Sequence, residues 1–162
     1  MTHIEENGMK LKNPMLVVTD LEKSKAFYRE VLGLRVVLDF GTNVTLTGGL
    51  CLQTRESWME FLHKEKQEIR FGGCDGEIYL ETEDLDAFLE KLPAFCVELV
   101  HPPYTHRWGQ RVVRLFDPDR HILEVGESMK TVVRRFLEEG MRPEEIAVRM
   151  DVPESYVHRM LK

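Results

Sequence analysis

Residues 18–34, VTDLEKSKAFYREVLGL, carry the pattern that decides the fold. The β-branched run ahead of Asp20 is typical of a strand, and the Asp20 carboxylate can accept hydrogen bonds from the free amides that begin a helix. Apolar residues then recur at helical spacing along one face, and Gly33 stands where a C-terminal cap is expected. The pattern predicts a strand followed by a helix that covers one face of a sheet.

The same pattern returns at residues 77–92, EIYLETEDLDAFLEKL, with Asp84 in the place of Asp20. The offset is 84 − 20 = 64 residues, longer than the repeat of roughly 20 to 50 residues in a solenoid. Three runs with strand character follow each helix: RVVLDF, NVTLT and LCLQT, then FCVELV, RVVRLF and HILEV. The pair Gly48-Gly49 predicts a hairpin turn in the first copy. We therefore expect two facing copies of one module, with the functional site between them.

The last segment, residues 128–162, has no strand character and indicates three short helices. The first ends near Gly140, and the others begin at Pro143 and Pro153, since proline is favourable at a first helical position. The stretch EEIAVRMDVPESYVHRMLK is similar to a helix-turn-helix, which would suit a ligand-responsive transcriptional regulator. From Glu127 onward, however, seven basic residues face seven acidic ones, so the phosphate-binding excess of a DNA reader is lacking. The segment is better interpreted as a packing appendage, or as a cover for the cavity or for a dimer surface.

Composition narrows the class of protein. The 162 residues suffice for one domain with an appendage, and a net charge of −6 argues against affinity for nucleic acid or an anionic membrane. The three isolated cysteines fit neither a disulfide framework nor a zinc knuckle and favour a reducing compartment. No signal peptide and no membrane-spanning stretch is evident. We expect a cytoplasmic protein without a nucleic-acid or membrane partner.

The order of four motifs resembles the vicinal oxygen chelate superfamily, which includes glyoxalase I, extradiol dioxygenases and bleomycin-resistance proteins. The motifs are VTDLEKSKAFYREVLGL, DLDAFLEKL, WGQR and FDPDRHILEV. The resemblance covers residues 11–126, with modules at about 13–62 and 75–126, and leaves 128–162 as an extension. It implies an α+β fold in which two βαβββ modules form a curled mixed sheet around a shared cavity. It also implies a homodimer.

Metal-dependent members of that superfamily place one ligand near the start of the first strand and one on the last strand of each module. Asn13 and Glu77 lie seven residues before the two capping aspartates, and aligning LCLQ with HILE places Gln53 opposite Glu124. Zinc, nickel and iron prefer imidazole or thiolate to such amides and carboxylates. We therefore expect no tight transition-metal site and no cofactor. A hard divalent ion held by Glu77 and Glu124 is the alternative.

The strand period predicts which side chains share the cavity. If Glu77 points inward, Tyr79 and Glu81 do too. The resemblance to the superfamily implies that the WG-R stretch borders the mouth of the cavity. The predicted ligand-binding residues are Asn13, Met15, Gln53, Tyr79, Glu81, Trp108 and Arg111. Glu77 and Glu124 are also candidate catalytic residues, because burial and like charge would raise the pKa of at least one of them.

These residues predict a small-molecule-binding protein of the glyoxalase and bleomycin-resistance type, with a role in resistance or in sequestration of its organic ligand. The alternative is a divalent-metal-dependent lyase or isomerase that uses Glu77 and Glu124. A ligand-responsive regulator is the second alternative. The residues alone leave open whether a reaction is catalysed.

Overall fold

The computed structural model describes residues 8–162, which divide into two compact units at the junction between Arg70 and Phe71. The first unit contains β1 (Met15–Val18), α1 (Leu21–Leu32), β2 (Val36–Asp39), β3 (Asn43–Leu46), β4 (Cys51–Thr54), α2 (Arg55–Leu62) and a 3-10 turn (Lys66–Glu68). Its strands lie in the order β1-β4-β3-β2. Only the β1–β4 pair is parallel. This is the predicted βαβββ module.

The second unit repeats the arrangement and adds the C-terminal helices. It contains β5 (Glu77–Thr82), α3 (Leu85–Lys91), a 3-10 turn (Leu92–Phe95), β6 (Leu99–Thr105), β7 (Arg111–Phe116), β8 (Ile122–Glu127), α4 (Met129–Glu138), α5 (Pro143–Met150) and α6 (Glu154–Met160). The sheet order, β5-β8-β7-β6, matches that of the first unit. The α+β class, the two modules and the three C-terminal helices are therefore confirmed.

The helix caps and the hairpin form as the residues predict. Asp20 accepts a hydrogen bond from the Lys23 amide at 3.0 Å, and Asp84 accepts one from the Ala87 amide at 2.9 Å. Gly48 and Gly49 both have positive φ, at 88° and 98°, which glycine adopts without the steric cost that a Cβ atom brings. The capping aspartates and the glycine pair therefore fix where these helices begin and where the hairpin turns.

Strand β6 differs from the prediction. The run FCVELV was expected as the strand, whereas β6 runs from Leu99 to Thr105 and includes Pro102 and Pro103. Prolines lack the amide that a central strand needs, but β6 is an edge strand, where one side of the backbone has no neighbour to bond. Its register with β7 shifts between His101 and Tyr104. Only residues 106–110 form the loop.

The three C-terminal helices surround an apolar cluster of their own. Its buried members are Val132, Val133, Phe136, Ile146, Ala147, Met150 and Val157. Trp108, from the β6–β7 loop, packs against this cluster. Arg135 on α4 donates to the Gly109 carbonyl at 2.5 Å. The helices are therefore packed onto the loop that carries Trp108. None of the helices within residues 8–162 is long and apolar enough to cross a membrane.

We predict that Gly109→Ala destabilises the protein more than Gly140→Ala does. Both glycines have φ of 91°, so either alanine costs about 1 kcal/mol in backbone strain. A Cβ at position 109 would also overlap the buried Phe136 ring, whereas no atom of the described part of the chain lies within 4 Å of one at position 140. Overpacking of this kind typically adds about 1–3 kcal/mol. Urea unfolding followed by circular dichroism measures both, and equal losses would contradict the packing of α4 on the loop.

Candidate functional site

One face of the second sheet carries a row of polar side chains. The strand register pairs Tyr79 with Glu124, Glu124 with Arg114, and Arg114 with His101, so the row crosses all four strands. Glu77 and Glu81 share the face because they alternate with Ile78 and Leu80 on β5. The predicted grouping of Glu77, Tyr79 and Glu81 on one face follows from this alternation.

Arg114 is the centre of this row. Its Nε donates to Glu77 Oε2 at 2.7 Å, and its Nη2 donates to Glu124. Nη1 donates to Tyr104 Oη at 3.1 Å and lies 3.3 Å from His101 Nε2. The guanidinium therefore places a positive charge between two carboxyl groups. We call Glu77, His101, Tyr104, His106, Arg114 and Glu124 the Arg114 cluster.

The two carboxyl groups of the cluster have different proton affinities. Glu124 is only 5% exposed, and this burial, together with the Glu77 carboxyl group, raises the pKa of Glu124 to about 7 although Arg114 opposes the rise. Burial also acts to raise the pKa of Glu77, but hydrogen bonds from Arg114 and Glu124 outweigh it and hold that pKa below its ordinary value. Near neutral pH, Glu77 is thus ionised while Glu124 exchanges a proton.

A histidine lies beside that proton. The His106 and Trp108 rings stack with centroids 4.0 Å apart and planes at 11°, and His106 Nε2 lies 3.9 Å from Glu124 Oε1. Desolvation and the charge of Arg114 lower the pKa of His106, so its ring is neutral at neutral pH. The cluster therefore contains a neutral base beside an acid that titrates near neutrality, and Trp108 stacks on that base.

A second hydrogen-bond network holds Tyr79 and Trp108 in place. Gln110, which is buried, donates to Tyr79 Oη at 2.7 Å and to the Glu127 carbonyl at 2.9 Å. Trp108 Nε1 donates to Gln110 Oε1 at 3.0 Å, and Tyr79 Oη donates to Glu81 Oε1 at 2.8 Å. Gln110 therefore positions two of the predicted ligand-binding residues.

Neither Arg114 nor Gln110 is among the residues that the sequence pattern predicts for the site. Gln110 stood in the quoted WGQR motif, and Arg114 in the run RVVRLF. The antiparallel alternation of RVVRLF against HILEV could have placed Arg114 on the face of Glu124, because directly paired residues share a face. Which partners it meets depends on the bulged register of β6, which the residues do not reveal.

Arg111 lies on the opposite face of the sheet from Arg114, three residues away on the same strand. Its Nε donates to Glu127, and its Nη1 and Nη2 donate to the two carboxylate oxygens of Asp86 at 2.9 and 3.3 Å. These bonds join β7 to β8 and α3. The predicted ligand contact at Arg111 is therefore not on the face of the Arg114 cluster.

The corresponding face of the first unit is neutral. Asn13 lies two residues before β1 and donates to the Gly49 carbonyl at 2.7 Å. Gln53 is buried, accepts from Asn43 Nδ2 at 2.7 Å and donates to the Ser57 hydroxyl. Asn43 Nδ2 also lies 3.7 Å from Met15 Sδ. The predicted ligand-binding residues of this unit thus belong to an uncharged network.

The expected equivalence of Gln53 and Glu124 is wrong. Counted from the capping aspartates, Met15 corresponds to Tyr79, since 79 − 15 = 64. Met15 pairs with Cys51, whereas Tyr79 pairs with Glu124. The ladder therefore places Cys51 at the position of Glu124. Gln53 corresponds to Gly126, so the last strands are offset by two residues from the expected alignment. A shift of two residues leaves a side chain on the same face of the sheet but places it in a different row across the strands.

The residues of this face do not fit the divalent metal ion that the superfamily implies. Of the four positions aligned with the metal ligands of the superfamily, only Glu77 and Glu124 are carboxylates. The Arg114 guanidinium bonded to both would repel a second cation. Within residues 8–162, no group of three histidine, cysteine or acidic side chains has a metal-binding arrangement. The positive charge that a metal ion would supply to these two carboxyl groups is supplied by Arg114.

Comparisons with known proteins place the chain in a family. The model of the glyoxalase-like domain matches residues 11–130. A crystal structure of a protein of unknown function from Agrobacterium tumefaciens strain C58 is 38% identical, with a TM-score of 0.67 over 75% of this chain and 95% of that one.

Two further relatives agree with this placement. The uncharacterized protein YraH of Bacillus subtilis strain 168 is 27% identical over 72% of this chain and 97% of its own length. A member of the glyoxalase/bleomycin resistance protein/dioxygenase superfamily from Sphaerobacter thermophilus is 26% identical, with a TM-score of 0.58 over 74% of this chain and 98% of that one. The chain thus belongs to the glyoxalase-like domain family, within the vicinal oxygen chelate superfamily.

Proposed function

We propose that the face bearing the Arg114 cluster binds a small organic molecule. The observation that carries this proposal is the convergence of Glu77 and Glu124 on Arg114. His106 lies beside Glu124 and stacks on Trp108. Binding sites combine a few well-placed polar groups with apolar or aromatic walls in this way. Membership of the glyoxalase-like family supports the proposal, since one relative of this chain belongs to a superfamily whose name includes bleomycin resistance. Sequestration of the ligand would need no reaction.

The charges of this face select the kind of ligand. Glu77 and Glu81 lie on it with Arg114, and Glu124 contributes a further partial negative charge near pH 7. The face therefore suits a cationic or hydrogen-bond-donating group. The stacked rings of His106 and Trp108 suit a flat apolar or aromatic part, because aromatic faces attract both other rings and cations.

A proton-transfer reaction is the second candidate function, and the pKa of Glu124 favours it. A carboxyl group that titrates near 7 beside a neutral histidine can donate or accept a proton at physiological pH. Arg114 could stabilise negative charge that develops on the substrate. This is a lyase or isomerase mechanism in which the chain's own residues act. The homodimer and a cavity shared by the two modules stay predictions.

We expect Glu124→Gln to remove a pH dependence of stability. The folded-state pKa of Glu124 lies above the ordinary value of 4.5, so between pH 4.5 and 7 the folded state holds more protons than the unfolded state. Stability therefore falls as pH rises through this range, by roughly 2–3 kcal/mol. The glutamine variant mimics the protonated carboxyl and lacks this loss. Urea titrations at several pH values measure the difference between the two proteins.

Glu30→Gln is the matched control, because Glu30 lies on α1 with its side chain 56% exposed. This variant should keep the wild-type pH dependence. Parallel stability curves for wild type and Glu124→Gln between pH 4.5 and 8 would contradict the raised pKa.

We predict that flat aromatic cations bind and their anionic counterparts do not. Benzamidine and phenyltrimethylammonium should raise the melting temperature of the wild type, whereas benzoate should not, because the face carries excess negative charge. Glu77→Gln and Trp108→Leu should weaken the effect, and Trp58→Phe in α2 of the first unit should leave it intact. Equal stabilisation by benzoate, or an undiminished effect in both variants, would sink the proposed ligand chemistry.

The metal-dependent alternative has a direct test. Protein incubated with Mn²⁺ and then dialysed should retain far less than one ion per chain, because Arg114 already occupies the carboxylates. Elemental analysis measures the content. A stoichiometric ion that disappears in both Glu77→Gln and Glu124→Gln would restore the divalent-metal lyase or isomerase.

A further inference from the structure

A cleft of about 480 Å³ lies in the second unit, away from the Arg114 cluster. It is bordered by the end of β6, the β6–β7 loop, the start of β7, and helices α4 and α5. Its lining residues are Thr105, Gly109, Arg111, Arg135, Phe136 and Arg149. The family match ends at residue 130. Half of the lining therefore comes from the C-terminal extension.

Two of the three arginines in the cleft are held by a buried carboxylate. Glu127 is 1% exposed and accepts hydrogen bonds from Arg135 Nη1 at 2.7 Å and from Arg111 Nε. Burial acts to raise the pKa of Glu127, but the bonds from Arg135 and Arg111 outweigh it and keep that pKa low. Glu127 is thus ionised and holds both guanidinium groups from behind.

The third arginine, Arg149, has no carboxylate partner within residues 8–162. Arg149 places its guanidinium 5.7 Å from the centre of the Phe136 ring, and Arg135 lies 6.0 Å from the same ring. Among the described residues, no ion pair or hydrogen bond engages the Arg149 side chain. Its donors are therefore free to meet a ligand in the cleft.

The charges around the cleft do not cancel. Arg111, Arg135 and Arg149 contribute three positive charges, while Glu127 and Asp86 contribute two negative ones. One positive charge remains on a protein whose net charge is −6. Each guanidinium has five N–H donors, and the hydrogen bonds of Arg135 use two of them. The cleft therefore has one positive charge that is not balanced by these two carboxylates, and N–H donors of Arg135 that these bonds do not use.

We propose that this cleft binds the phosphate or carboxylate group of a small molecule through Arg149 and Arg135. The fork of a guanidinium matches the oxygen atoms of either group, which makes arginine the usual residue for recognising them. The volume falls within the range of about 300 to 1,000 Å³ typical of ligand sites. A cleft of this volume has room for a molecule larger than the anionic group alone. This site does not depend on the proposed function of the Arg114 cluster.

Calorimetric titration with inorganic phosphate and with phenyl phosphate, at constant ionic strength, tests the proposal. We expect saturable binding with one site per chain, tighter for phenyl phosphate because its ring also fills the cleft. Arg149→Gln should weaken binding about tenfold, the worth of one charged hydrogen bond. Arg149 is exposed at the end of α5, so this variant should fold normally, as circular dichroism would verify.

Arg134→Gln is the matched control, since Arg134 is an exposed arginine on α4 outside the cleft. It removes the same charge and should bind both probes like the wild type. Equal weakening in Arg134→Gln and Arg149→Gln would show that only net charge matters and would overturn the site. Absence of saturable binding by the wild type would overturn it too. Binding of a short DNA duplex that Arg149→Gln abolishes, with no binding of phenyl phosphate, would assign the arginine to nucleic acid instead.

Discussion

The ion pairs of the buried Glu127 carboxylate hold the elements of the second unit together. This carboxylate stands at the end of β8, 1% exposed, and binds Arg111 of β7 and Arg135 of α4. Arg111 continues to Asp86 on α3, so four elements meet around one charge. Removing one partner of such a buried pair typically costs about 3–5 kcal/mol, because the other charge is left without compensation.

The same region also connects the two proposed sites of the unit. The Glu127 carbonyl accepts from Gln110, which in turn fixes Trp108 and Tyr79 at the Arg114 cluster. On the other side, the Glu127 carboxylate orients the arginines of the cleft. The C-terminal helices thus do more than cover apolar surface. Through Arg135 and Phe136 they set the conformation of the loop that carries His106 and Trp108.

The two modules have the same topology and different chemistry. Arg114 and Glu124 form a charged pair across β7 and β8, whereas the corresponding ladder positions in the first unit hold Thr45 and Cys51. Hydrogen bonds among neutral groups satisfy that first face, so it needs no counter-ion. Charge is concentrated in one copy, which is why we place the proposed chemistry in the second unit alone.

The sequence by itself determined the modules, their helix caps, the face shared by Glu77, Tyr79 and Glu81, and the three C-terminal helices. These features follow from short-range effects: capping, periodicity, and glycine or proline conformation act within a few residues. It did not reveal that β6 contains two prolines, that Gln53 is offset from Glu124, or that Arg114 lies between the carboxyl groups.

Only the tertiary structure decided those points, because the register between strands distant in sequence depends on bulges and on packing of the whole sheet. The pKa of Glu124 and the cleft between β7 and the C-terminal helices have the same origin. The pKa depends on charged neighbours, and the cleft is lined by arginines, that are distant in sequence and come together only when the chain folds.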